Sequence, residues 1–130
     1  MSLLVVNSRA PGFDSPSVAE FALNISSLIQ RARIGEIPIA HVHQGASRAP
    51  LALRLPIGRF DPIFATRDLI CEFPSALIEF LVHSPSKTIH LAGFIRRDQL
   101  ISLSSILQKA GYEPSSRASV LMVFDREPVD

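Results

Sequence analysis

Residues 88–111 read TIHLAGFIRRDQLISLSSILQKAG, and this stretch decides the fold. Thr88 to Ala92 is a short apolar run suited to a buried strand, closed by Gly93. From Arg97 onward, Leu100, Ile101, Leu103, Ile106, Leu107 and Ala110 recur at helical spacing, and Gly111 ends that helix. The next segment, Arg117 to Phe124, predicts a strand whose Val120, Leu121, Met122 and Val123 are too apolar for a half-exposed position. Strand, helix and strand in that order are a parallel βαβ unit with a right-handed crossover.

The rest of the chain repeats the alternation. Leu3 to Val6 is a continuous apolar run, as expected of a central strand buried on both faces, and Asn7-Ser-Arg-Ala-Pro-Gly breaks it. Ser17-Val-Ala-Glu20 fits a capping box. Behind it Val18, Phe21, Ala22, Ile25, Leu28, Ile29 and Ala32 form one apolar stripe, with Gly35 as the stop. Ile37 to Val42 predicts the second strand, with Pro38 at its beginning because proline lacks a ladder N–H. Residues 44–60 carry no clean period and read as a loop, and Pro62 to Thr66 predicts a further short strand. Pro74 opens a helix carried by Leu77, Ile78, Phe80 and Leu81 as far as Ser84-Pro85. The pattern predicts one domain over 1–130: a three-layer α/β/α arrangement with a mainly parallel sheet of about five strands. Ligands of such sheets sit beyond the carboxyl ends of the strands. Asn7, His43, Arg67 and the segment from Gly93 to Gln99 are therefore the places to expect function.

Composition excludes several classes. With 47% hydrophobic and 19% charged residues the chain is not of disordered type. A formal net charge of +1 offers no footprint for nucleic acid. The single cysteine, Cys71, rules out an intrachain disulfide and a thiolate metal cluster. No apolar run reaches the roughly 20 residues of a membrane span, and no basic region precedes Leu3-Leu4-Val5-Val6 as in a signal peptide. The expectation is a cytoplasmic domain without a membrane partner, a nucleic-acid partner or a cofactor.

Taken in order and spacing, these segments resemble the isochorismatase-like cysteine hydrolases. Leu4-Val5-Val6-Asn7 looks like the first strand that delivers that family's aspartate. Ile25, Leu28, Ala32-Arg33, Gly35, Pro38-Ile39 and Val42-His43 are similar to the helix and strand that follow. Arg67 lies six residues before Phe73, as the family's lysine precedes its phenylalanine. His90-Leu-Ala-Gly93 looks like the strand leading to the nucleophile helix, and Gly111-Tyr112 like the pair that closes it. The resemblance implies a site where an aspartate takes a thiol proton, a lysine supports the charges, and the thiolate attacks an amide or related carbonyl. Position by position, the aspartate falls on Asn7, the lysine on Arg67 and the cysteine on Gln99.

All three roles are changed. An asparagine amide is no general base, a glutamine amide is no nucleophile, and Arg67 keeps the charge of a lysine without its compact geometry. Relatives that cleave a vinyl ether without the cysteine still rely on the acid at position 7. The resemblance thus implies a pseudoenzyme, degenerate and C-terminally short, that binds a small anionic or amide-bearing molecule or serves as an interaction subunit. A family domain usually continues with another helix and strand, so a homodimer is expected to cover the missing element. A working hydrolase of a C–N or ether bond with a rearranged site, through Cys71 or a metal-bound water, is the alternative. A purely structural partner of an intact paralogue is the third reading.

Arg96-Arg97-Asp98 opens the last helix, where free backbone N–H groups favour an anion. Arg96 and Arg97 are thus candidate ligand-binding residues beside Asn7, Arg67 and Gln99. The plainer reading leaves both arginines solvated, with Asp98 capping the helix. His41 and His43 share a strand face, and some nicotinamide-hydrolysing relatives place a metal near such a pair with an aspartate. No first acid ligand is recognisable here, so the pair reads as structural or solvent-facing and no metal is expected. Cys71, His83 and His90 read as structural.

Overall fold

The computed structural model describes residues 1–7, 16–44, 61–66, 75–83 and 86–124. Along the chain run β1 (Ser2–Asn7), α1 (Pro16–Ile34), β2 (Ile39–Gln44), β3 (Ile63–Thr66), α2 (Ser75–Val82), β4 (Thr88–Arg96), α3 (Arg97–Lys109) and β5 (Glu113–Phe124). The five strands form one sheet in the order β3-β2-β1-β4-β5, and every pairing is parallel. This is the expected α/β class with its parallel sheet.

Alternation along the strands divides the core into two. Leu4, Val6, Ala40, Val42, Ile89, Leu91 and Ile95 face Leu77 and Leu81 of α2 and Leu103 and Leu107 of α3. Leu3, Val5, Ile39, Ala92, Phe94 and Val120 face Ile25, Ile29 and Ala32 of α1. Both faces of β1 and β4 are thus apolar, as a parallel sheet sandwiched by helices requires. Each fully buried Leu or Ile contributes on the order of 1.5–3 kcal/mol relative to exposure.

Several boundaries differ from the sequence expectation, each for a physical reason. Pro16 and Ser17 are already helical, so Ser17 is not the cap that the capping-box reading assigned to it; a proline is well tolerated in the first turn, where its missing N–H costs nothing. Pro38 and Pro62 lie just ahead of β2 and β3. Their carbonyls accept the N–H groups of Leu3 at 2.8 Å and His41 at 3.0 Å, so each proline serves the ladder as an acceptor only. At the end of α1, Ile37 N–H donates to Ala32 O and Glu36 N–H to Arg33 O, the paired bonds of a Schellman motif. The left-handed residue there is Glu36 (φ 56°), one place after the expected Gly35. The same pair of bonds closes α3 from Tyr112 and Gly111, and there the left-handed residue is the predicted glycine, Gly111 (φ 92°).

The largest departure is β4, which passes through Gly93 and continues to Arg96. Gly93 pairs with Val6 of β1 and has φ 114°. A Cβ at this position would overlap the Val6 carbonyl oxygen. The glycine marks a close approach of two backbones inside the sheet, not the end of a strand. β5 is also longer than expected, because its polar start, Glu113 to Ser116, pairs as an edge strand with β4. Gly93→Ala should therefore destabilise the protein by about 3 kcal/mol, lowering Tm by about 10 °C in a thermal melt. An unchanged Tm would mean that the β1–β4 contact relaxes freely.

Candidate functional site

The parallel sheet brings all strand carboxyl ends to one edge, where β1 ends at Asn7, β2 at Gln44, β3 at Thr66 and β4 at Arg96. Backbone register sets Asn7 between His43 of β2 and Phe94 of β4. α3 starts directly after β4, so its first turn stands over the same end of the sheet. The helix begins at the predicted Arg97, and Gln99 is fully buried in that turn. Positions 7 and 99, which sequence reasoning singled out as far apart in the chain, therefore share one end of the sheet. Arg67 and Cys71 lie outside the described residues.

The start of α3 is organised by short polar contacts. Gln99 Oε1 accepts the backbone N–H of Arg96 at 3.3 Å, which is the reaching-back half of a capping box. Asp98 accepts the backbone N–H of Gln99 at 2.9 Å and is bonded by the Arg96 guanidinium. That guanidinium holds the Asp98 carboxyl below its ordinary value of 3.8. The Asp98 contribution to stability is thus present above the ordinary carboxylate range and is lost as pH falls through the lowered pKa. Arg96 is half-buried and Arg97 exposed. Gln99 Nε2 is buried, and among the described residues it has no hydrogen-bond partner. Such a donor costs stability unless something accepts from it.

The histidines separate into different roles. His41 is completely buried on the α1 face, and its Nε2 lies 3.3 Å from Asp61 Oδ2. Arg33 of α1 grips the same carboxylate with two bonds, at 3.1 and 2.9 Å, and its own pKa is raised by that hydrogen bonding. Asp61 was missed by sequence reading because its partners are 20 and 28 residues away. The trio ties the segment before β3 to the end of α1. Among the described residues no group of three His, Cys, Asp or Glu side chains is placed to hold a metal ion. His83 follows α2 and is exposed. His90 is buried, with Nδ1 3.3 Å from Ser115 Oγ, near the amino end of β4.

Burial first, and the nearby Arg117 charge second, push the His90 pKa below its ordinary 6.5. The folded chain then binds fewer protons than the unfolded chain between the lowered pKa and 6.5, so stability rises with pH across that window. Acidification from pH 7 should lower Tm as pH passes below about 6.5, and His90→Asn should flatten this part of the profile. A parent profile that stays flat to pH 5 would contradict the assignment.

No family model and no curated protein sequence matches the chain. Solved structures resemble it in three dimensions. An isochorismatase from Pseudomonas putida KT2440 superposes with a TM-score of 0.71 at 18% identity, over 88% of this chain and 66% of its own. A ribonuclease from Caenorhabditis elegans gives 0.67 at 16% identity, over 94% of this chain and 64% of its own. An N-carbamoylsarcosine amidase from Thermoplasma acidophilum gives 0.70 at 12% identity, over 100% of this chain and 99% of its own. The chain spans just under two thirds of the length of the first two. Among the described residues no helix is long and apolar enough to cross a membrane. With its parallel sheet, flanking helices and these structural likenesses, the chain has the isochorismatase-like α/β fold.

Proposed function

We propose that the chain is a catalytically degenerate relative of the isochorismatase-like hydrolases, which binds a small anionic or amide-bearing molecule at the carboxyl end of its sheet. The observation that carries this reading is Gln99. The resemblance assigns the nucleophile to this position, and a fully buried amide occupies it. Its oxygen is committed to the Arg96 backbone, which leaves the Nε2 donor for an acceptor oxygen of a ligand. A carboxylate or amide carbonyl supplies that oxygen. Asn7 at the end of β1, with Arg67, Arg96 and Arg97, completes the set of contacts, and the arginines favour an anion. With an asparagine for the base and a glutamine for the nucleophile, no covalent step can start from these positions.

The reading is tested by offering a panel of small amides, esters and vinyl ethers to the purified protein, shown to be folded by circular dichroism. No turnover is expected. Turnover would establish a working hydrolase instead, with Cys71→Ala and a chelator-treated sample showing whether thiol or metal carries it.

The same proposal includes pairing with a second copy of the chain. β5 is the longer of the two edge strands among the described residues, running for 12 residues from Glu113 to Phe124. A long edge of this kind presents unpaired backbone groups to another chain. Light scattering at micromolar concentration should return twice the mass of the chain, and a strictly monomeric mass would defeat the pairing.

A further inference from the structure

The described residues line a half-open hollow of about 220 Å³ at the opposite end of the sheet from Asn7 and Gln99. Leu3, the second residue of β1, lines it, and Leu3 and Asn7 are separated by about 13 Å of strand at 3.3 Å per residue. The last turns of α1 supply Leu28 and Ala32, and Ile37 precedes β2; with Leu3 they make an apolar wall. Arg31 of α1 and Arg117 of β5 also line it, and His90 of β4 adds a buried imidazole. The lining contains no carboxylate. Among the described residues neither guanidinium has a carboxylate partner.

Arg117 reaches the hollow through an irregularity in β5. Ser116 pairs with Leu91 and Leu121 with Gly93, so five residues of β5 advance against two of β4. Arg117 lies in this bulge, and Asn24 of α1 donates to the Ser119 carbonyl at 3.0 Å, which pins the bulge against the helix. Bulges re-aim side chains next to binding sites. The Arg117 charge is felt at His90, where after burial it helps lower the imidazole pKa.

We propose that this hollow binds a small monocarboxylate with a flat apolar body, of the benzoate class. The body lies against Leu3, Leu28, Ala32 and Ile37, and the carboxylate lies at Arg31 and Arg117. The size agrees: an apolar cavity of about 150 Å³ takes benzene, and the additional volume here leaves room for a carboxylate. The chemistry agrees as well, because guanidinium forks match carboxylate oxygens. The site is separate from the carboxyl end of the sheet and independent of what binds there.

The test is a two-dimensional ¹H–¹⁵N NMR titration of the full chain with sodium benzoate, with benzamide as the neutral isostere and sodium acetate at matched ionic strength. Benzoate should give saturable shifts at Leu28, Ala32, Ile37 and His90. Benzamide and acetate should each bind at least about tenfold more weakly, since each lacks one half of the recognition. Arg31→Gln and Arg117→Gln, both at exposed positions, should each weaken benzoate about tenfold with unchanged circular dichroism. The proposal is overturned if no saturable shift occurs, if benzamide or acetate matches benzoate, or if both variants bind as the parent does. Shifts centred on Asn7 and Gln99 would also overturn it, and would assign benzoate to the carboxyl end instead.

Discussion

At Gly93 the backbones of β1 and β4 leave no room for a Cβ, and the sheet on both sides depends on that approach. Its φ of 114° and the Val6 carbonyl facing it exclude any side chain. Because the residue has none, β4 stays in register with β1 through Gly93 and delivers Arg96 and α3 to the sheet edge where β1 ends. A side chain there would force β1 and β4 apart, and the first turn of α3 would no longer stand beside Asn7. One backbone contact therefore fixes both the packing of the core and the geometry of the carboxyl end.

The two ends of the sheet have opposite chemical character. At the carboxyl end the polar groups are largely tied to one another: Gln99 to the Arg96 backbone, Asp98 to the Arg96 guanidinium and the helix N–H groups. Among the described residues, the Gln99 Nε2 donor at this end is buried without a hydrogen-bond partner. Among the described residues that line the amino-end hollow, an apolar wall meets Arg31 and Arg117 and no carboxylate. Fold likeness at 12–18% identity does not transfer an activity from the isochorismatase, the ribonuclease or the amidase to this chain. Function has to be argued from these side chains.

Element order and the two apolar faces were legible in the sequence because both are local. Alternation in Leu3-Leu4-Val5-Val6 sends successive side chains to opposite cores, and the period of Leu100, Leu103 and Leu107 places α3 on one of them. The start of α3 at Arg97 and its stop at Gly111 follow from the same local signals. The candidate residues at 7 and 99 were found from the expected order of strands and a family resemblance, and the burial and bonding of Gln99 were not.

The sequence by itself determined the α/β class and the parallel order of elements, since residue type and spacing carry those facts. Only the tertiary structure decided that Gly93 lies inside a strand, that Glu36 and not Gly35 turns left-handed, and that His41 is held by Asp61 and Arg33. It alone also revealed the bulge that brings Arg117 beside His90 and Arg31. Each of these depends on backbones or charges that are distant in the chain and adjacent in space, and a local pattern holds no information about such pairs.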